Sequence, residues 1–110
     1  MSYVIRSIGI LQQSSIPTFD APTNVVAAYN GTKGWVQITW TDNTSDEDNF
    51  RMEVDVNGGG YNWLTDPAAD ATSYNHSPVT GGSTYTYRIR AEKTAENSDW
   101  AYSAGETIPF

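Results

Sequence analysis

The sequence contains no cysteine and only one histidine, His76, and both scarcities limit its chemistry. Without cysteine the chain can form neither a disulfide framework nor a thiolate metal site, and one histidine with carboxylates is a poor basis for a zinc site. A nucleophilic triad would require an activated serine or threonine beside His76, and no nucleophile-elbow motif is present. We therefore predict no catalytic residue, no bound metal and no cofactor, and we expect His76 to be a solvated loop residue.

Basic residues are also scarce. Six lysines and arginines stand against thirteen aspartates and glutamates, which gives a formal net charge of -7. A field of this sign repels phosphate groups, so nucleic acids and anionic membranes are poor partners. No apolar run approaches the roughly 20 residues that span a bilayer. We expect no nucleic-acid partner and no membrane insertion.

The first 17 residues differ in pattern from the rest of the chain. Their apolar residues are interrupted by Arg6 and Gly9, and they lack the basic start and small-residue cleavage site of a secretory signal. The β-branched residues favour an extended arm over a short helix. We divide the chain into an extended arm and linker, residues 1–17, and a domain, residues 18–110. The arm is either a loosely packed terminus or a partner-binding segment, with these contact candidates: Tyr3, Val4, Ile5, Ile8, Ile10 and Leu11.

From residue 22 onward the sequence alternates with the period of two that is typical of β-strands, and no helical period occurs. At 110 residues and 12.1 kDa, the chain can bury roughly two thirds of its unfolded surface in one core. Seven strands at this spacing predict an all-β fold, a seven-stranded antiparallel sandwich. The predicted structural core contains Trp40, Phe50, Tyr74, Tyr85, Tyr87 and Ile89.

Three stretches define the predicted inward faces of the strands. Alternation directs Val36, Ile38 and Trp40 inward from residues 35–40, and Tyr85, Tyr87, Ile89 and Ala91 inward from residues 85–91. Residues 50–56 direct Phe50, Met52, Val54 and Val56 inward. We place a loop at residues 42–49, a glycine hairpin turn at 57–60 and a turn at 96–99.

The strands of Phe50 and Tyr85 are predicted to be neighbours. Their outward faces would then set Arg51, Glu53 and Asp55 against Arg88, Arg90 and Glu92. Each pair of opposite charges would contribute about 0.2 to 1 kcal/mol. Burial of the core aromatic residues would contribute more, on the order of 2 kcal/mol each.

Several short motifs follow one another along the domain: Pro22-Thr23-Asn24-Val25, residues 36–43, residues 50–53, Thr72-Ser73-Tyr74, residues 81–91 and Asn97-Ser98-Asp99-Trp100. Together, in this order, they resemble the fibronectin type III domain in the form found in bacterial and phage proteins. The resemblance covers about residues 20–109 and implies an immunoglobulin-like sandwich in which Trp40 anchors the core. It also implies a tyrosine corner, with the Tyr85 hydroxyl bonded to backbone near residues 79–82. Val79 stands where this family usually has leucine, and no Arg-Gly-Asp occurs in residues 94–98.

Two further groups of residues are candidates for binding. Asp42, Asp46, Glu47 and Asp48 could supply oxygen ligands to calcium, but their spacing lacks the glycine and terminal bidentate glutamate of an EF-hand, which favours a solvated acidic loop. The second group is aromatic and should lie partly on outer faces or edges. It either covers the edges of the sandwich or stacks on sugars or partner proteins. Its members are Trp35, Tyr61, Trp63, Trp100 and Tyr102.

These features favour a non-enzymatic structural or interaction protein. The start at Met1, the apolar arm, the acidity and the lack of cysteine fit a phage virion accessory protein that decorates a capsid or tail. Its partners would be other structural proteins of the assembly, including copies of itself, and it would be located in the virion after synthesis in the host cytoplasm. Two alternatives stay open: a carbohydrate-binding or host-surface adhesion module that contacts a cell-surface glycan, and an excised piece of a larger extracellular protein.

Overall fold

The structure is a computed structural model that describes residues 19–110, so the predicted arm and its contact candidates from Tyr3 to Leu11 lie outside the described residues. This part of the chain contains no helix long and apolar enough to cross a membrane. Its regular structure consists of nine β-strands: β1 (Thr23–Asn30), β2 (Trp35–Thr41), β3 (Asn49–Val56), β4 (Tyr61–Thr65), β5 (Ser73–His76), β6 (Thr84–Lys93), β7 (Glu96–Asn97), β8 (Ala101–Tyr102) and β9 (Glu106–Thr107).

The strands form two antiparallel sheets that enclose one core. The small sheet has the order β1-β2-β5, and the large sheet has the order β9-β6-β3-β4, with β7 and β8 also paired to β6. The predicted neighbours β3 and β6 pair along their length, from Asn49↔Glu92 to Val56↔Tyr85. The predicted sandwich is confirmed. The described residues contain nine strands rather than seven because residues 96–107 pair with β6 in three short pieces, β7, β8 and β9, and not as one strand.

The core forms where the alternating faces of β2, β3 and β6 meet. Trp40 of the small sheet contacts Phe50 of the large sheet edge-on, with ring centroids 5.8 Å apart. Two predicted core positions are corrected. Val56 is 41 % exposed, because it ends β3 where the chain turns into the hairpin, and Tyr74 is only partly buried. The core comprises Val36, Ile38, Trp40, Phe50, Met52, Val54, Tyr85, Tyr87, Ile89, Ala91 and Ile108.

The loop before β6 is fixed by a tyrosine. The Tyr85 hydroxyl accepts a hydrogen bond from the backbone N–H of Thr80 at 2.8 Å, within the stretch that the sequence indicated. The ring of Tyr85 is buried, so this bond satisfies a polar group that would otherwise be desolvated without a partner.

The last turn begins earlier than the sequence predicted. Residues 96–97 form β7, paired with Glu92 and Lys93, and the turn lies at residues 94–95, where Ala95 has a φ of 65°. Two buried serines then connect the chain to β6. The Ser98 hydroxyl accepts from the N–H of Ala91 at 2.9 Å, and the Ser103 hydroxyl accepts from the N–H of Tyr87 at 3.0 Å. These hydroxyls replace the backbone carbonyls that a continuous strand would have offered.

His76 is half-buried at the end of β5, and the prediction of a solvated loop histidine is wrong. Its ring packs edge-to-face against Tyr85 and Tyr87, with centroid distances of 5.5 and 5.6 Å. Its Nδ1 lies 2.8 Å from the Tyr87 hydroxyl. Burial lowers the pKa of His76, because the imidazolium form would lose hydration.

Acidification is therefore expected to destabilise the domain. The folded pKa of His76 lies below the ordinary value of 6.5, so the unfolded chain binds the proton more readily. The stabilisation is present above pH 6.5 and is lost as the pH falls through the folded pKa. His76 is the chain's one histidine, so urea unfolding at about pH 7.5 and about pH 5.5 should isolate its titration. His76→Gln should remove most of this pH dependence; an equally steep dependence in that variant would contradict the interpretation.

Candidate functional site

Four of the five predicted surface aromatic residues lie on the outer face of the large sheet. Strand pairing sets Tyr61 opposite Asp55, Trp63 opposite Glu53, and Tyr102 opposite Arg88. Trp35 instead begins β2 in the small sheet and does not join them. We call this surface the aromatic–arginine face; it comprises Arg51, Glu53, Asp55, Tyr61, Trp63, Arg88, Arg90, Trp100 and Tyr102.

The arginines of β6 stack against the aromatic rings. The guanidinium carbon of Arg88 lies 4.4 Å from the ring centroid of Tyr61 and 4.2 Å from that of Trp100. Arg90 covers Trp100 as well, at 4.4 Å. Each such cation–π contact contributes about 0.5–1 kcal/mol at an exposed site. The rings of Tyr61 and Trp100 are thereby held in place, and part of their surface is already occupied.

Glu53 is the carboxylate that pairs with two arginines of this face. It is only 8 % exposed, and it accepts hydrogen bonds from Arg88 Nη2 at 2.6 Å, Arg88 Nε at 2.9 Å and Arg51 Nε at 2.8 Å. Burial by itself would raise the pKa of Glu53, but the hydrogen bonds from Arg51 and Arg88 outweigh it and hold that pKa below its usual value. Because two guanidinium groups engage this carboxylate, it is poorly suited to act as a general base.

The predicted cross-strand charge pairs are confirmed at one position and wrong at the others. Glu53 does stand opposite Arg88, but Arg51 stands opposite Arg90 and Asp55 opposite Thr86. The like charges of Arg51 and Arg90 face each other, but each arginine forms an ion pair with a carboxylate two residues along its own strand. Arg51 pairs with Glu53, and Arg90 pairs with Glu92.

Two rings of the aromatic–arginine face remain open to solvent. Trp63 and Tyr102 are each 55 % exposed. Trp63 is oriented by a hydrogen bond from its Nε1 to Asp66 Oδ1 at 2.9 Å. The face carries three of the chain's six basic residues and only two carboxylates, so it is close to neutral on a chain of net charge -7. This combination of oriented rings and low net charge suits binding.

The four acidic residues of the loop between β2 and β3 fall into two groups with different partners. Asp46 forms an ion pair with Lys93 at 2.8 Å, and Asp48 accepts a hydrogen bond from the N–H of Thr94. Asp42 and Glu47 instead lie beside Asp70, a residue of the loop between β4 and β5. Asp70 was not predicted to join this loop, because only the folded chain brings it there.

The participation of the arginines was also missed, although a signal for it exists in the sequence. Alternation along β6 already directs Arg88 and Arg90 to the outer face. Their stacking on Tyr61 and Trp100 depends on the strand order of the large sheet, which alternation does not determine. The sequence thus yields the exposed side of each strand but not the contacts between strands.

Comparisons with known proteins agree with this architecture. A family model described as "PBP1-like, fibronectin3-like domain" matches residues 23–102. No curated protein sequence gives a significant match. Among solved structures, the fn3 domain of the human collagen alpha-1(XX) chain is similar, with a TM-score of 0.73 and 14 % identity over 87 % of this chain and 90 % of that chain.

Two further solved structures show the same fold. An Fn3-like protein from Clostridium thermocellum has a TM-score of 0.62 and 20 % identity over 77 % of this chain and 85 % of that chain. The twitchin kinase region from C. elegans has a TM-score of 0.68 and 22 % identity over 84 % of this chain and 17 % of that chain. At these identities the likeness concerns the fold alone.

Proposed function

Because the chain belongs to the family of PBP1-like, fibronectin3-like domains, a family of structural and interaction modules, we propose that it is a non-catalytic component of a protein assembly and binds its partner through the aromatic–arginine face. The observation that carries this proposal is the pair of open rings, Trp63 and Tyr102, on either side of the Arg88–Glu53 ion pair. Tryptophan, tyrosine and arginine are the residues that most often dominate the binding energy of protein interfaces.

The composition of the face favours a protein partner over a sugar. A sugar ring stacks on a flat aromatic surface, and the guanidinium groups of Arg88 and Arg90 already lie over Tyr61 and Trp100. A protein partner can use the whole face, since its side chains can contact the exposed edges of the rings and bond the remaining N–H groups of the arginines. Because the face itself is close to neutral, its charges neither repel an acidic partner nor require a basic one.

The finer proposal is that the assembly is a phage virion, in which this protein decorates a capsid or tail. The acidity of the chain, its lack of cysteine and its apolar first 17 residues support this role. In this proposal Tyr3, Val4, Ile5, Ile8, Ile10 and Leu11 anchor the protein to a neighbouring structural protein. The virion is then its location, and other structural proteins, including copies of itself, are its partners.

Removing the open rings should weaken incorporation into particles. In Trp63→Ala/Tyr102→Ala, the number of copies per purified particle should fall about tenfold or more, because losing about 1.4 kcal/mol of binding energy already reduces affinity tenfold. The measurement is quantitative mass spectrometry of phage particles made in cells that express the full chain. Val26→Ala, at an exposed position of the small sheet, is the matched control and should leave the copy number unchanged.

The results distinguish the parts of the proposal. Deletion of residues 1–17 should abolish recruitment without changing the melting temperature if the arm is the anchor. Absence of the protein from particles would overturn the virion role. Normal incorporation of the double variant would overturn the role of the face.

The exposed Trp63 also favours one second candidate, a glycan-binding module. Titration of the full chain with cell-wall sugar fragments tests it. Millimolar binding that is lost in Trp63→Ala, together with absence from particles, would favour the glycan.

A further inference from the structure

Three carboxylates from separate parts of the chain meet at one end of the sandwich. Asp42 directly follows β2, Glu47 precedes β3, and Asp70 lies in the loop between β4 and β5. One carboxylate oxygen of each lies within 4.8 Å of those of the other two. We call this group the carboxylate cluster. Its members range from buried Glu47 through half-buried Asp42 to exposed Asp70, so the cluster is open to solvent on one side.

Glu47 holds an oxygen that no described residue bonds. The side chain is 6 % exposed, and its Oε2 accepts a hydrogen bond from the backbone N–H of Asp70 at 2.8 Å. Its Oε1 is buried and has no hydrogen-bond partner within residues 19–110. A desolvated carboxylate oxygen without a partner is destabilising unless a positive group compensates it. Glu47 therefore brings an uncompensated buried carboxylate to the carboxylate cluster.

The described side chains supply no such positive group. The ion pairs found in residues 19–110 involve the carboxylates of Glu53, Glu92 and Asp46, and none involves the carboxylate cluster. Three carboxylates this close to one another repel. Asp42 has a second oxygen available to a ligand, since within residues 19–110 only its Oδ1 is hydrogen-bonded, by the N–H of Thr44 at 3.1 Å. We propose that Asp42, Glu47 and Asp70 bind a calcium ion.

The spacing of the oxygens suits calcium. Calcium binds oxygen at about 2.3–2.6 Å, so ligands on opposite sides of the ion lie up to about 5 Å apart, whereas magnesium, at about 2.0–2.1 Å, requires them within about 4.2 Å. Oxygens that all lie within 4.8 Å of one another fit around a calcium ion. Magnesium is less suited to three protein carboxylates, because it requires a near-ideal octahedron and usually keeps several of its waters. Calcium takes six to eight ligands, and water can complete the shell on the exposed side of Asp70. With three protein carboxylates, we expect a Kd of about 0.1–1 mM, as in extracellular calcium modules.

Calcium should stabilise the full chain, because it binds the folded cluster and not the dispersed residues of the unfolded chain. Protein stripped with EDTA is heated with CaCl2 at about 5 mM and constant ionic strength. For the expected Kd, the unfolding equilibrium constant should fall about 6- to 50-fold. The melting temperature should then rise by about 4 °C or more. Calorimetric titration should give one site per chain, and MgCl2 at the same concentration should give a smaller rise.

Two variants test whether the stabilisation by calcium arises at the carboxylate cluster. Asp42→Asn/Asp70→Asn removes two charges. The amide oxygen introduced at position 42 can still accept the N–H of Thr44, and asparagine tolerates the positive φ of 67° at position 70. This variant should fold and lose the response to calcium. Asp46→Asn, in the same loop but paired with Lys93, is the control and should keep the response.

The proposal would be overturned by the absence of a calcium response in the wild-type chain, by an undiminished response in the double variant, or by an equal response to magnesium. Loss of the response in Asp46→Asn would also overturn it, because the ion would then bind elsewhere in the loop.

Discussion

Replacing Phe50 with alanine is expected to lower the free energy of unfolding by about 3–5 kcal/mol. Phe50 is fully buried and contacts Trp40 across the two sheets, so the variant would lose both the burial of the ring and an aromatic contact. Both sheets contribute rigid strands here, and the cavity would close only partly. Since domains of this size are stable by about 5–15 kcal/mol, the variant should be close to unfolding at 37 °C. Urea unfolding followed by tryptophan fluorescence measures the change.

Val56→Ala is the control for Phe50→Ala. Val56 lies on the same strand, β3, and alternation assigns it to the same inward side. Val56 is 41 % exposed, so its truncation should lower the free energy of unfolding by less than about 1 kcal/mol. Similar losses for the two variants would mean that the contact between Phe50 and Trp40 does not join the sheets as described.

Glu53→Gln is expected to lower the free energy of unfolding by about 1–3 kcal/mol at neutral pH. Glutamine preserves the shape of the side chain but removes the charge that Arg51 and Arg88 share. The loss should stay below that of a fully buried ion pair, because the two arginine side chains are 33 % and 24 % exposed and water can reach them. Urea unfolding at neutral pH measures it.

The same substitution should change the response to acid. The folded pKa of Glu53 is held below the ordinary 4.5, so its stabilisation is fully present above that value and is lost as the pH falls through the folded pKa. The difference between the wild-type chain and Glu53→Gln should therefore narrow in acid. Asp46→Asn, which removes an equally short ion pair at a 62 % exposed carboxylate, should change stability little. A difference between wild type and Glu53→Gln that stays constant down to about pH 2 would contradict this account.

The sequence predicted the fold wherever one strand has one clearly apolar side. Along β2, and along β6 as far as Ala91, every second residue is apolar, and each of those residues is buried. Prediction failed where position along the strand decides burial. Val56 continues the alternation of β3 but lies at its end. His76 looks polar in sequence, yet its ring packs edge-on against both Tyr85 and Tyr87.

The candidate site could be predicted only in its components. The aromatic residues were identified as surface residues, and four of them do share one face. Their association with Arg88 depends on the strand order of the large sheet, which a pattern of period two does not contain. The grouping of Asp42 and Glu47 with Asp70 could not be predicted for the same reason, since Asp70 reaches Glu47 only after β4 has paired with β3.

The two ends of the described chain leave the sandwich at opposite poles. The ring of Phe19 lies 5.4 Å from Lys93 Nζ at the end of β6, whereas Phe110 contacts Tyr29 near the end of β1. A force that pulls Phe19 and Phe110 apart would therefore act parallel to the strands. The entry pole also carries Asn43, whose side chain bonds the carbonyl of Ala21 at 3.0 Å. A cation held by the adjacent Asp42 would stiffen the contact between the entering segment at Ala21 and the loop after β2.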